Sequence, residues 1–160
     1  MKLHIVTVGH KPPQWVAAGF GEYARRMPRS ARIDLTEIKA APRSRQSPSE
    51  ASVARVLAEE KSRILAAIPS GCVKIALDER GKQLTTADLA RRLDGWMQGG
   101  RDIAFVIGSA DGLDRELKAG ADFLLSLSAF TLPHALVRVV LAEQLYRTVS
   151  LIQNHPYHRD

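Results

Sequence analysis

At 160 residues, 45% hydrophobic and 25% charged, the chain has room for one domain with a sizeable core and the composition of an ordinary globular protein. No apolar run approaches the roughly eighteen residues of a membrane span, and Met1-Lys2-Leu3-His4 leads into a strand pattern rather than a secretory signal, so a cytoplasmic protein is expected. The single cysteine, Cys72, excludes an intrachain disulfide and a cysteine-rich metal site, and the net charge of +6 favours a polyanionic partner.

The alternating, β-branched run Leu3 to Gly9 predicts a first strand. Trp15, Val16, Gly19, Phe20 and Tyr23 recur at helical spacing and predict a helix from about Gln14 to Arg26, stopped by Pro28. Arg32 to Ile38 alternates again as a second strand, and the proline-, serine- and arginine-bearing stretch Lys39 to Ser49 is an exposed loop. Ser49 caps a helix that carries Val53, Val56, Leu57, Ile64 and Ile68 and ends at Pro69-Ser70-Gly71. Strand three is Cys72 to Leu77, which makes Cys72 a small core residue, and Asp78 to Lys82 is a charged turn.

Thr85 or Thr86 opens the next helix, with Leu89, Leu93 and Trp96 inward and Gly99-Gly100 at its end. Asp102 to Ile107 is a nearly continuous apolar strand, as a strand covered on both faces should be. A glycine loop, a short helix from about Asp114 and a fifth strand, Phe123 to Leu127, follow, and the last helix starts after Pro133 and runs to about Ile152. Strands alternating with helices imply one α/β domain over residues 1–160, a mainly parallel sheet with helices on both faces. The last helix is apolar nearly all round, which calls for burial either centrally in the chain or at a subunit contact.

Several segments carry chemistry. The loop Gly108-Ser109-Ala110-Asp111-Gly112 follows a strand end, where open parallel sheets bind ligands, but matches neither nucleotide-phosphate signature; a ligand site and a plain turn both fit. There is no G-x-S-x-G elbow for a serine hydrolase. His155 and His158 are separated by Pro156, which breaks helical ligand spacing, so no metal is expected there. Tyr157, His158 and Arg159 could stack on bases and meet phosphate, or form a loose terminus. His134, after Ser128 to Pro133, could contact substrate or satisfy local backbone.

Taken together, Phe105 to Gly108, Leu127 to His134, Arg138 to Arg147 and the closing Asn154 to Arg159 resemble the RlmH, or YbeA-like, family of 23S rRNA pseudouridine N3-methyltransferases, of the SPOUT superfamily. The opening Met1-Lys2-Leu3, Val8-Gly9 and the helix Trp15 to Tyr23 fit as well, so the likeness covers essentially the whole chain. It implies a SPOUT fold with a C-terminal deep trefoil knot, a homodimer packed through the last helix, and S-adenosylmethionine as cofactor. Carried over by position, the cofactor contacts are Leu77, Gly108, Leu127, Ser128, Ala129, Phe130, Thr131 and Leu132, with Asp111 a candidate for the ribose. The resemblance further implies 23S rRNA, in the large subunit or complete ribosome, as substrate. His134, Arg147, Tyr157 and His158 are candidates for substrate or catalytic contacts, the tail reaching the partner's cofactor. Arg138 and the pair Glu143 and Arg147 could instead make ion pairs between helices or along one helix. A noncatalytic RNA-binding protein or assembly factor, and a small-molecule enzyme of the doubly wound class, are the alternatives.

Overall fold

The computed structural model describes residues 1–43 and 49–159, the last two by backbone alone. Its elements are β1 (Lys2–Val8), α1 (Gln14–Arg26), β2 (Arg32–Ile38), α2 (Glu50–Ala67), β3 (Val73–Gln83), α3 (Thr86–Gln98), β4 (Ile103–Ile107), α4 (Arg115–Ala119), β5 (Phe123–Ser126) and α5 (His134–Ile152). Short 3-10 turns stand at Arg29–Ala31 and Pro156–Arg159. The predicted caps are in place. Ser49 Oγ accepts from the Ser52 amide at 3.1 Å, Thr85 Oγ1 from Asp88 at 3.1 Å, and Asp114 Oδ1 from Glu116 at 2.9 Å.

The five strands are all parallel, in the order β2-β1-β4-β3-β5. Period-two alternation divides each strand between two cores. Leu3, Ile5, Ile75, Ile103 and Phe105 face one core, completed by Phe20 of α1, Leu89 and Leu93 of α3, and Leu141 and Leu145 of α5. Val6, Val8, Ala76 and Val106 face the other, under Ile64 of α2 and Leu117 of α4. Helices on both faces explain why β4 is buried at every position. Cys72, too, is buried. At the strand starts, Asp102 Oδ1 accepts from the Lys2 amide at 2.9 Å and tethers β1 to β4.

Strand β3 departs from the sequence reading. The charged stretch Asp78 to Lys82, expected as a turn, continues the strand beyond an irregularity after Leu77, and Lys82 and Gln83 pair with Leu125 and Ser126 of β5. Gly81 permits this approach: a Cβ there would lie 2.8 Å from the carbonyl carbons of both Leu124 and Leu125. The result is a polar arm folded against the edge strand, above the end of the sheet where the site lies.

Helix α5 packs against α1 and α3. Leu141, Ala142, Leu145 and Val149 are fully buried, whereas Leu136, Val137, Val139 and Val140 are half-buried. One chain thus covers only part of its apolar circumference. Among the described residues, no helix is long and apolar enough to cross a membrane.

Candidate active site

A cleft of about 450 Å³ opens at the carboxyl ends of β3, β4 and β5. Leu77 and the β3 arm form one wall, Ile107 and the glycine loop the second, and the segment from Leu127 to Leu132 the third. Strand order puts this opening beyond strand ends whose backbone is no longer occupied by pairing, the usual place for a ligand in an open parallel sheet. Leu77, Gly108, Leu127, Ser128, Phe130, Thr131, Leu132 and His134 all line it, and Ala129 lies in the same segment without facing the cleft. Ser128 Oγ accepts from the Phe130 amide at 2.8 Å, and Ser126 Oγ donates to the Ser128 carbonyl at 3.1 Å. These hydroxyl bonds fix a short, irregular segment that has no ladder of its own.

Gly108 is required first by the loop it opens. A Cβ there would sit 2.4 Å from the Gly112 carbonyl oxygen and 2.9 Å from Leu113 Cγ. The loop closes on itself through the Gly112 amide and the Ser109 carbonyl, 2.9 Å apart, with Gly112 at φ +86°. The Asp111 carboxylate lines the cleft but is engaged by Arg43 Nε at 2.8 Å.

His134 begins α5 and reaches back to β1, where its Nε2 lies 2.7 Å from the Val8 carbonyl oxygen. A carbonyl only accepts, so geometry assigns the proton to Nε2 and leaves the lone pair on Nδ1. Gly9 makes room for the ring, since a Cβ there would come within 3.0 Å of Nε2. Burial pushes the imidazole below its ordinary 6.5; the Val8 bond opposes this and the Arg138 charge reinforces it. His134 is therefore neutral at pH 7. Across the cleft, Asp78 and Lys118 pair at 2.9 Å. Although burial pushes the Asp78 carboxyl up, Lys118 and the Arg80 amide hold it below the usual 3.8.

Arg147 and Tyr157 gather elsewhere, beside the second half of α5. Arg147 Nε donates to Glu143 Oε1 at 2.8 Å, Tyr157 OH donates to the same oxygen at 3.2 Å, and the guanidinium lies 4.8 Å from the Tyr157 ring centre. Tyr146 stacks obliquely on Tyr157 with centroids 4.5 Å apart. Burial, then the Glu143 carboxylate, pushes the Tyr157 hydroxyl up to about 12, so it stays protonated and a donor. The tail is docked, with the His155 amide on the Ser150 carbonyl at 2.8 Å and Asn154 at φ +55°. Glu143 and Arg147 do form the pair along one helix, while Arg138 is buried and meets Glu37 only at 3.8 Å. The His158 side chain lies outside the described residues.

Arg80 and Lys118 on the cleft wall, and Arg43 behind the glycine loop, were not among the expected site residues. Each is a charged residue on a polar stretch, and only the fold brings it to the cleft. Among the described residues, no three His, Cys, Asp or Glu side chains are grouped to hold a metal ion.

The sequence pattern of the predicted SPOUT methyltransferases matches residues 1–158. The chain belongs to the SPOUT methyltransferase family. Within it, the chain is 59% identical to the ribosomal RNA large subunit methyltransferase H of Paraburkholderia xenovorans strain LB400, over 159 residues and 99% of both chains. The protein of the same name from Burkholderia vietnamiensis strain G4 is 58% identical over 99% of both chains. Among solved structures, a probable methylase family protein from Haemophilus influenzae Rd KW20 shares the fold, with a TM-score of 0.53 at 18% identity, covering 98% of this chain and 69% of that one.

Proposed function

We propose that this SPOUT methyltransferase binds S-adenosylmethionine in the cleft at the ends of β3 to β5 and methylates N3 of a pseudouridine in 23S rRNA of the large ribosomal subunit. The carrying observation is identity of 58–59% across essentially the full length of relatives named for large-subunit rRNA methylation. The cleft's chemistry supports the cofactor. Leu77, Leu127 and Leu132 offer apolar walls to an adenine, backbone groups of the Leu127 to Leu132 segment can read its edge, and about 450 Å³ accommodates a nucleoside with an amino-acid arm. When bound, the cofactor supplies an electrophilic methyl group on a sulfonium.

The chain's own residues then orient the acceptor. His134, neutral and with Nε2–H committed to Val8, presents Nδ1 as the acceptor for the N3–H of the base. Phe130 stands at the rim with 83% of its surface exposed, a ring available for stacking on a nucleobase.

Arg147 and Tyr157 cannot join the cleft of their own chain. Arg147 stands 13 residues along α5 from His134, about 20 Å at 1.5 Å per residue, and Tyr157 packs beside it. A homodimer supplies them in trans. Trp15, 61% exposed on α1, and the half-buried Leu136, Val137 and Val140 of α5 furnish the apolar surface for a second copy. Once dimerised, Arg147 stabilises negative charge developing on the uracil ring, and Tyr157 and His158 contact the RNA. The chain acts as one unit over residues 1–160, in the cytoplasm. Its segment after β5 is threaded as a trefoil knot, a reading supported by the path of Leu127 to Pro133 from the edge strand β5 to His134 beside the central β1.

The test incubates the protein with labelled S-adenosylmethionine and ribosomes from a strain lacking the modification. Label in 23S rRNA, on N3-methylpseudouridine by mass spectrometry, is expected. RNA binding without label would instead identify a noncatalytic binding or assembly protein.

A further inference from the structure

Arg43, on the connection between β2 and α2, reaches the glycine loop that follows β4. Its Nε donates to Asp111 Oδ2 at 2.8 Å, Nη2 to Ser109 Oγ at 2.8 Å, and Nη1 to the Ala41 carbonyl at 3.2 Å. Ser109 Oγ in turn donates to Glu60 Oε1 at 2.7 Å. Glu60 belongs to α2 and is 2% exposed, its Oε1 lies 3.5 Å from Arg43 Nη2, and its Oε2 has no hydrogen-bond partner.

A carboxylate so deeply buried is tolerated only near a compensating charge, and Arg43 supplies it. The Ser109 hydroxyl accepts from the guanidinium and donates to the carboxylate, so it is fixed from both sides. Ser109 and Asp111 are the only polar side chains between Gly108 and Gly112, and one guanidinium holds both. Two glycines bracket this loop, and Gly112 sits at φ +86°. The shape of the cleft's second wall is thus set largely from outside the loop. Arg43 and Asp111 are each more than a third exposed, at 37% and 36%, so the pair contributes little to folding. Its position against a cleft wall gives it a different consequence.

We propose that Arg43 is a positioning residue for cofactor binding: with buried Glu60 as its counter-charge, it clamps Ser109 and Asp111 and holds the glycine loop in the shape that borders the cofactor. The β2–α2 connection thereby governs cofactor affinity. This rests on the methyltransferase reading above.

Titration calorimetry with S-adenosylmethionine tests it on the full chain, comparing wild type with Arg43→Ala, Arg43→Lys, Asp111→Asn, Asp111→Ala and the double variant Arg43→Ala/Asp111→Ala. Arg43→Ala is expected to weaken binding about tenfold or more, Asp111→Asn several-fold, and the double variant no further than Arg43→Ala alone, because the residues act as one unit. Arg43→Lys, which keeps the charge but loses the fork, should recover only part of the loss. In turnover assays the loss should fall on KM for the cofactor rather than on kcat. Wild-type affinity in Arg43→Ala, or effects that multiply in the double variant as they would if Asp111 touched the cofactor independently, would overturn the clamp. Should Arg43→Ala fail to fold because Glu60 loses its counter-charge, Asp111→Asn decides: affinity within twofold of wild type refutes the proposal. Wild-type protein that takes up no cofactor would sink the methyltransferase reading itself, a result distinct from any of these.

Discussion

His134 makes a pH-dependent contribution whose sign follows from its environment. Its folded-state value is depressed below the ordinary 6.5, so the unfolded chain binds the proton more readily. The contribution to stability is complete above pH 6.5 and is lost as the pH falls toward the depressed value. Asp78 and Asp102, held below 3.8, lose theirs only in stronger acid. The melting temperature should therefore fall as the pH drops below about 6.5, and His134→Asn should flatten that part of the curve. Phe130 makes a second prediction at this scale. With its ring in solvent, Phe130→Ala should lower methylation of ribosomes about tenfold, while Phe130→Trp retains activity and cofactor affinity is unchanged in both. A matching loss of cofactor affinity by calorimetry would place the ring in the cofactor pocket instead.

Among the elements, the β3 arm and the glycine loop depend on single glycines. Gly81→Ala puts a Cβ 2.8 Å from two carbonyl carbons of β5, and Gly108→Ala one 2.4 Å from a carbonyl oxygen. Neither obstacle is a flexible side chain. Each variant should lose on the order of 1–3 kcal/mol, read as a drop of roughly 3–10 °C in thermal melts. Gly108→Ala should also lose cofactor binding.

The sequence was informative about these elements in an uneven way. Periodicity located α1 and β2 with the bounds the structure has, Gln14–Arg26 and Arg32–Ile38, because both carry an apolar face at a clean period. It missed the β3 arm, since Asp78 to Gln83 is polar throughout and its pairing depends on a gap above β5 that only the folded chain presents. The cleft segments Leu77, Gly108 and Leu127 to Leu132 were found by family likeness, with strand ends as physical support. The Arg43 clamp joins residues 66 and 68 positions apart and leaves no local pattern. For Arg138 the sequence left an ion pair and a substrate role open, and its burial is a tertiary fact.

For the molecule as a whole, the separation along α5 between His134 and the Arg147 and Tyr157 cluster bears on how a site is assembled. If each site combines the cleft of one copy with the tail of another, two inactive variants should complement. Gly108→Val subunits lack a usable cleft, and chains truncated after Pro156 lack Tyr157. Mixed in equal amounts and allowed to exchange, they should recover about a quarter of wild-type activity, from one intact site in half of the dimers. No recovery after confirmed exchange would place the tail's role within its own chain.

A site shared across two copies of α5 would make activity respond to dilution. If two copies share a site, cofactor capture would need one cleft and depend on each chain alone, whereas turnover would need a pair and follow mass action. As the protein is diluted through its dimer dissociation constant, specific activity should fall while the number of cofactor molecules bound per chain holds steady. The helix would then act as a concentration sensor: it lets a lone chain hold the methyl donor and forbids the chain to spend it.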